Sequence, residues 1–329
     1  MASIIHQALN YLLSWASLAQ NSQYGWESVV RKTGDLMHEE QPLKKKLKLL
    51  LLFNSIMEWI DTTHAMRLYI HKESLKAGEE ESTPSSKSQI RGFVDAYGIN
   101  MEDFDPSDIN AYQSFADFFT RKHTKESRLV YKPDDASSAV VVADSRVVVY
   151  DSIAKTRELW IKGRDFSITN LVMDTQLGAR FDNAAVASFR LSPQDYHRYH
   201  SPVTGRVALF RSLPGDYYQV DPIALQSHVD ILTRNARDYV VIETEDFGDV
   251  LFVAIGATDV GSVQFHKEWQ TPGSEIRKGD ELGLFQFGGS SIVVAFQAGR
   301  IKFDADLSDL SMQRIQIAVE VGMSLGSAA

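Results

Sequence analysis

Cysteine is absent from this chain of 329 residues. The absence excludes disulfide bonds, cysteine nucleophiles and thiolate metal sites together, and it favours an intracellular protein. Long apolar runs are missing as well, because the longest, residues 49–53, is far short of the roughly 20 residues that span a bilayer. Residues 1–19 lack the basic start of a secretory signal, so we expect no signal peptide there.

An excess of basic residues is also absent, since 34 lysines and arginines stand against 43 aspartates and glutamates, a net charge of −9. This balance gives no chain-wide attraction to nucleic acid, so no nucleic-acid partner is expected. Hydrophobic residues make up 44% of the chain and charged residues 23%, which is typical of a globular protein with a sizeable core. The length allows one large domain or two ordinary ones.

Helical spacing dominates the first part of the chain, and residues 1–117 are predicted to form a helical N-terminal region. Residues 1–76 are predicted to be helices, residues 77–88 a polar linker or loop, and Ile90 to Tyr97 a short helix. Lysines at positions 44, 45, 46 and 48 precede the apolar residues 49–53. This stretch is either the solvated start of a buried helix or a helix that lies on an anionic membrane surface.

Strand patterns dominate the rest of the chain. β-Branched and aromatic runs predict strands at residues 139–143, 147–150, 185–191, 205–210, 239–244, 250–255, 260–265 and 291–296. Turn signals such as Pro214-Gly215-Asp216 separate the runs, and no long helix lies between most of them, so the strands are expected to pair antiparallel. The predicted fold class is α+β, with an N-terminal helical region on a mostly antiparallel, β-rich domain.

Two glycines stand directly before a serine in residues 287–291, Phe-Gly-Gly-Ser-Ser, and a strand pattern follows. One interpretation is a turn that leads into a strand, since glycine and serine both favour turns. The other is a chain that cuts itself. Glycine has no Cβ, so the carbonyl of Gly289 is open to attack by the Ser290 hydroxyl. The resulting ester can eliminate to a dehydroalanine, which hydrolyses to a pyruvoyl group, a reactive ketone, at position 290.

A base for such a serine is available in the segment from Asp195 to Pro202, where His197 and His200 lie three residues apart. Histidine suits proton transfer near neutral pH. Two histidines at this spacing could instead form half a metal site, but the His-Glu-x-x-His zinc pattern is absent and we expect no metal. Ordinary surface or core histidines are the plain alternative.

A carboxylate that orients the base is expected, because a histidine base is commonly held and stabilised by one. Asp144 is the first candidate, since it interrupts two apolar strand patterns where an unpaired buried carboxylate would be costly. An exposed turn between two strands explains Asp144 equally well. Asp195 and Asp259 are rival candidates.

These segments make the chain resemble the pyruvoyl-dependent phosphatidylserine decarboxylases, particularly fungal members. The matching pieces are, in the family's order, Phe118-Phe119-Thr120-Arg121, Ala143-Asp144, residues 191–200, residues 201–205, Asn235-Ala236-Arg237, residues 256–262 and Gly289-Ser290-Ser291. The Asp-Tyr-His-x-x-His segment and the Gly-Ser pair are highly specific together and weak alone. Two departures from the bacterial pattern occur, an extra glycine at Gly288 and Ser145 in place of a glycine after the aspartate.

The resemblance implies a role for each matching side chain. It implies that the chain is cut between Gly289 and Ser290, and that the pyruvoyl cofactor derives covalently from Ser290. It likewise implies that His200 is the base for cleavage, with Asp144 as its carboxylate. His197 is implied to assist decarboxylation at the proton-transfer step. Residues 118–329 would then form the catalytic domain, and the uncut chain would be a zymogen.

Conversion of phosphatidylserine to phosphatidylethanolamine and carbon dioxide is the activity that the resemblance implies. Two alternatives stay open: a soluble pyruvoyl-dependent decarboxylase of a free amino acid such as tryptophan, and an uncleaved binding protein without catalysis. The lipid enzyme would be intracellular and peripheral on a membrane, the soluble one cytosolic, and a homodimer is compatible with both. Arg121 would meet an anionic head group or carboxylate, or form a structural salt bridge.

Overall fold

The computed structural model describes residues 27–38, 78–159, 166–216, 231–256, 263–286 and 290–329. Most of the predicted N-terminal helical region, including the lysines at positions 44–48, lies outside these residues, as do Gly289 and Asp259. Within the described ranges the protein combines helices with a large sheet in which nearly all neighbouring strands are antiparallel. The predicted α+β fold class is therefore confirmed.

Ten strands form the main sheet, and every pair of neighbours described in it is antiparallel except β1 with β17. In sheet order the strands are β13 (Glu275–Ile276), β9 (Gly205–Leu213), β10 (Arg237–Thr244), β11 (Gly248–Ile255), β15 (Ser290–Phe296), β7 (Ala185–Leu191), β6 (Ser145–Tyr150), β17 (Gln316–Val319), β1 (Glu27–Val30) and β2 (Leu36–His38). The strands that were predicted in this sheet are present, with ends that differ by a few residues.

The middle of the main sheet, β11, β15 and β7, is built from nearly continuous apolar runs because both of its faces are covered. Every residue of β15 and β7 is buried. The register places Ser290 opposite Leu191, so the first residue of β15 lies beside the last residue of β7. Since the loop after β7 carries Asp195 and His197, this pairing brings the predicted cleavage serine next to the start of the histidine segment.

Three smaller sheets lie in the described part of the chain. They are β12 (Val263–Phe265) with β14 (Glu281–Phe285) and β8 (Arg198–His200), then β16 (Ile301–Phe303) with β18 (Ser324–Ala328) and β5 (Ser138–Val140), and finally β3 (Phe104–Asp105) with β4 (Lys122–His123). The first of these positions the site, because β14 runs antiparallel to β8 with Glu281 opposite His200.

The described helices are short. They are α1 (Gln89–Tyr97), α2 (Phe115–Phe119), α3 (Ile153–Leu159), α4 (Ile168–Val172), α5 (Thr175–Ala179), α6 (Ile231–Arg234) and α7 (Ala305–Met312), with 3₁₀ helices at Pro84–Ser88, Met101–Asp103, Ile109–Ala111 and Lys267–Gln270. Helix α1 confirms the helix predicted around residues 90–97. Helix α2 crosses the predicted domain boundary after residue 117 and packs in an aromatic cluster with Ile90 and Tyr112.

Two local predictions are wrong. Residues 27–38 form a hairpin rather than a helix, because β1 adds to β17 at the edge of the main sheet and β2 pairs with β1. Residues 78–88 form a helical turn and a 3₁₀ helix rather than a loop. Ser86 is buried there, and its hydroxyl is satisfied, because it donates to the carbonyl of Thr83 (2.7 Å) and accepts from the amide of Phe115 (2.9 Å).

Candidate active site

His200 lies at the end of β8 with both ring nitrogens hydrogen-bonded. Its Nδ1 is 2.8 Å from the carbonyl oxygen of Gly279, and its Nε2 is 3.1 Å from the hydroxyl of Tyr196. A carbonyl oxygen only accepts, so Nδ1 carries the proton and Nε2 is the basic nitrogen of the neutral ring. Burial raises the pKa of Tyr196 far above its usual range, so its hydroxyl stays a donor to Nε2.

Burial also sets the charge of His200. It lowers the pKa of His200 below the ordinary histidine value, because a buried imidazolium loses its hydration. The hydrogen bond to Gly279 and the charges of Glu281 and Asp144 act to raise this pKa, while the charge of His123 adds to the lowering. The net direction is downward, so His200 is neutral at pH 7, which is the form that a general base needs.

His197 is completely buried between the segment that precedes it and helix α2. Its ring stacks on Phe119 with the ring centroids 3.9 Å apart. Its Nδ1 lies 3.0 Å from the carbonyl oxygen of Asp195 and therefore donates to it. Nε2 is then the ring nitrogen that is left to exchange a proton.

Arg121 is buried beside the same segment and holds its backbone. Its Nη2 donates to the carbonyl of Gln194 at 2.7 Å, and its guanidinium lies 4.4 Å from the ring centre of Phe104 and 4.7 Å from that of Phe118. Burial lowers the pKa of Arg121 to about 10. Among the described residues it forms no ion pair with a carboxylate, so the salt bridge considered from the sequence is replaced by contacts with carbonyl groups and aromatic rings.

Ser290 is fully buried at the start of β15. Its hydroxyl has no hydrogen-bond partner among the described residues, whereas the hydroxyl of the next residue, Ser291, donates to the carbonyl of Phe189 at 3.0 Å. A buried hydroxyl without a partner costs about 1–3 kcal/mol. Such groups are rare in native structures and commonly have a chemical role, which fits a serine that reacts.

Asp144 directly precedes β6 and accepts hydrogen bonds from three directions. Nε2 of His123 lies 3.1 Å from its carboxylate, Nη2 of Arg128 lies 2.9 Å from it, and the amide of Val321 lies 2.8 Å from it. Burial acts to raise the pKa of Asp144, but the hydrogen bond from His123 and the charge of Arg128 outweigh it and hold this pKa well below its usual range. The carboxylate is therefore ionised.

The structure does not form the predicted hydrogen bond between Asp144 and His200. The donors to Asp144 come from His123, Arg128 and the backbone, and the nitrogens of His200 are occupied by Gly279 and Tyr196. The connection is indirect, because the ring of His123 lies against that of Tyr196, with centroids 4.1 Å apart, and Tyr196 bonds to His200. The charge of Asp144 still reaches His200 and acts to raise its pKa, although burial keeps the net direction downward.

The rival aspartate Asp195 has a different role. Its carboxylate accepts from the amide of Ser192 at 2.7 Å and forms an ion pair with Arg146, so it fixes the turn that leads from β7 to His197. Asp259 lies outside the described residues. In the described ranges no group of three histidine, aspartate or glutamate side chains forms a candidate metal site.

Two groups next to His200 were not predicted from the sequence. His123 lies in a polar stretch that suggests an exposed side chain. Its side chain is nevertheless only 6% exposed, and its ring stacks on that of Phe104 with the centroids 4.5 Å apart. Glu281 follows a Gly-Asp pair typical of a turn, yet its carboxylate is 2.5 Å from Arg198 and 2.7 Å from Nε2 of His266. Both depend on contacts between distant segments, which no local pattern reveals.

A family model described as phosphatidylserine decarboxylase matches residues 115–327. The chain belongs to the phosphatidylserine decarboxylase family. Phosphatidylserine decarboxylase proenzyme 2 of Komagataella phaffii is 37% identical over 300 residues, which are 90% of this chain and 29% of that protein. Proenzyme 2 of Oryza sativa subsp. japonica is 37% identical over 302 residues, or 90% of this chain and 47% of that protein. The Chlamydia trachomatis proenzyme is 37% identical over 237 residues, or 72% of this chain and 77% of that protein.

The match to the phosphatidylserine decarboxylase family contains the whole candidate site, from Arg121 and His123 to Ser290. It confirms the resemblance found in the sequence. The chain spans less than half the length of the Komagataella and Oryza relatives. Among the described residues there is no helix of the length and apolarity that crossing a membrane requires.

Proposed function

We propose that this protein is a phosphatidylserine decarboxylase that cuts itself between Gly289 and Ser290. It then releases carbon dioxide from phosphatidylserine and gives phosphatidylethanolamine. The proposal rests chiefly on the buried Ser290 hydroxyl, which has no partner among the described residues, in a chain whose relatives are named proenzymes. A neutral His200 supports it, because the serine needs a base.

Self-cleavage begins when Oγ of Ser290 attacks the carbonyl carbon of Gly289 and loses its proton. The acceptor of that proton is Nε2 of His200. The hydroxyl of Tyr196 occupies Nε2 in the uncut chain, and the Ser290 hydroxyl makes no hydrogen bond to it there. In the proposed step the Ser290 hydroxyl reaches Tyr196 during the reaction, and Tyr196 gives its own proton to His200 and takes one from Ser290. The bond between the carbonyl carbon of Gly289 and the nitrogen of Ser290 then breaks, the nitrogen takes the proton from His200 and becomes a free amine, and an ester to Oγ replaces the peptide bond.

The ester then breaks by elimination. Removal of the α-proton of Ser290 expels the carboxylate of Gly289 and leaves a dehydroalanine at position 290. Addition of water with loss of ammonia converts this residue into the pyruvoyl group. The surroundings of position 290 fit such a group, because the position is buried at a strand end where the Ser290 hydroxyl makes no hydrogen bond to a described residue that would have to be broken.

The pyruvoyl group supplies a carbonyl that binds the substrate amine and accepts the electron pair released with carbon dioxide. In its protonated form, His197 then gives the proton on Nε2 to the substrate carbon and regains it from solvent. The bond from Nδ1 to the carbonyl of Asp195 leaves Nε2 as the nitrogen that exchanges this proton, and Phe119 fixes the plane of the ring. Arg121 holds the preceding carbonyl of Gln194 and so keeps the segment in place.

The mass of the purified full chain tests the proposal. Wild-type protein should consist of residues 1–289 and residues 290–329, with the smaller piece blocked to Edman degradation because a ketone replaces its amine. Ser290→Ala should stay whole. His200→Ala should slow cutting by about 10²–10⁴-fold, whereas His197→Ala should still cut but lose decarboxylation. Wild-type protein that stays whole under native conditions would contradict the proposal.

Carbon dioxide release identifies the substrate. The protein should act on phosphatidylserine in vesicles and not on a panel of free amino acids. Turnover of tryptophan or another amino acid, without turnover of the lipid, would assign the soluble alternative. Peripheral contact with a membrane belongs to this proposal, and the lysine stretch at positions 44–48 and a homodimer stay predictions.

A further inference from the structure

Residues 128–132, which we call the rim segment, combine exposed apolar side chains with a position directly beside the candidate site. Leu129 is 77% exposed and Tyr131 is 41% exposed. They are two of the six large hydrophobic side chains that are exposed among the described residues, and they lie two positions apart. An exposed Leu and Tyr on one short segment calls for a partner, because most exposed hydrophobic residues are scattered singly.

The backbone of the rim segment is fixed, so these side chains are held outward. The amide of Tyr131 donates to the carbonyl of Gly322 at 2.8 Å. A Cβ on Gly322 would lie 2.7 Å from the carbonyl oxygen of Leu129, and one on Gly279 would lie 2.6 Å from Val130. Both glycines have positive φ, so their missing side chains let the rim segment approach closely.

The same contacts connect the rim segment to the catalytic groups. Arg128, the first residue of the segment, donates to the carboxylate of Asp144. Val130 packs against Gly279, whose carbonyl accepts the hydrogen bond from His200. A surface that covers Leu129 and Tyr131 therefore lies close to Arg128, which bonds to Asp144, and to Gly279, which bonds to His200.

The charge around the rim segment suits an anionic surface. Residues 122–135 contain four basic residues and three acidic residues, a small basic excess in a chain whose net charge is −9. Lys122, Lys125 and Lys132 are exposed. Nζ of Lys132 lies 5.3 Å from the ring centre of Tyr131 and 3.8 Å from Asp135. Leucine and tyrosine flanked by lysine are the side chains that settle at the boundary between lipid head groups and acyl chains.

We propose that the rim segment docks the protein on an anionic lipid bilayer, with Leu129 and Tyr131 entering the head-group region and the lysines meeting anionic lipid. The inference rests on the proposed function, since a lipid substrate held in a bilayer must be reached at the edge of the site. It identifies a docking surface formed by described residues, at a different part of the sequence from the lysines at positions 44–48.

The test compares Leu129→Ser/Tyr131→Ser with the control Leu36→Ser. Leu36 is 73% exposed and lies on the edge strand β2, so it matches Leu129 in type and exposure but not in position. Co-sedimentation with vesicles of phosphatidylserine and phosphatidylcholine should show roughly tenfold weaker binding for the double variant and unchanged binding for the control. Binding is measured with Ser290→Ala in every chain, so that it does not depend on catalysis.

Turnover separates docking from chemistry. Without the Ser290→Ala change, the double variant should cut itself at the wild-type rate and decarboxylate a short-chain phosphatidylserine below its micelle concentration at the wild-type rate. Its apparent KM for vesicle phosphatidylserine should rise roughly tenfold. Vesicle binding and turnover equal to wild type, or a wild-type chain that does not bind vesicles, would overturn the inference. Failure of the wild-type chain to decarboxylate either lipid would instead count against the proposed function, while vesicle binding still decides the docking surface.

Discussion

Ser290 and Ser291 offer a sharp test of the site, because these two adjacent, fully buried serines differ in their hydrogen bonds to the described residues. Successive residues of a strand point to opposite faces, so the two hydroxyls meet different surroundings. The Ser291 hydroxyl donates to the carbonyl of Phe189 at 3.0 Å. The Ser290 hydroxyl has no partner among the described residues. Replacement by alanine should therefore change stability in opposite directions.

The expected magnitudes follow from these contacts. Ser291→Ala removes one hydrogen bond and should lower the free energy of unfolding by about 1 kcal/mol. Ser290→Ala removes a buried hydroxyl that has no partner among the described residues. Desolvation of such a hydroxyl costs about 1–3 kcal/mol, so this change should raise the free energy of unfolding by about 1 kcal/mol. The two variants should differ by about 2 kcal/mol, or about 3 °C in melting temperature.

The measurement needs uncut protein, so both changes are made with His200→Ala, and mass spectrometry first confirms that each chain is whole. Calorimetry then compares the single variant with the two double variants. If Ser290→Ala destabilises the protein as much as Ser291→Ala does, the Ser290 hydroxyl has a hydrogen-bond partner in the uncut chain. In that case the view of Ser290 as a destabilised, reactive group is refuted.

Two further predictions concern the surroundings of His200. Tyr196→Phe should slow self-cleavage by tenfold or more, since the phenol that relays the proton to Nε2 is lost, whereas faster cutting would show that the hydroxyl only blocks the base. His123→Leu should move the acid limb of the self-cleavage pH profile to higher pH. The charge of His123 lowers the pKa of His200, so its removal raises that pKa, and the base then becomes protonated at a higher pH. Phe104→Leu is the control, because it removes the ring stacked on His123 but no charge, and it should leave the limb unmoved. An unshifted limb in His123→Leu would contradict the electrostatic role.

Local patterns in the sequence predicted the parts of this protein that depend on neighbouring residues. Apolar runs predicted β7, β11 and β15, because a strand buried on both faces needs apolar residues at nearly every position. The Gly-Ser pair and the two histidines carry a chemistry that is readable from residue type and spacing. The same patterns missed the hairpin at residues 27–38, whose strands form because they pair with β17 near the other end of the chain.

Tertiary structure decided how the site is connected. Asp144 is held by His123, Arg128 and the amide of Val321, and the last of these is 177 positions away in the chain. The carbonyl of Gly279 decides which ring nitrogen of His200 carries the proton and which is basic. Gly279 lies in the connection between β13 and β14, whereas His200 ends β8. Hydrogen bonds and burial act through space, so the tautomer of a histidine and the partner of a carboxylate depend on which distant segments the fold brings together. The sequence by itself determined which groups can react, and the fold determined which of them meet.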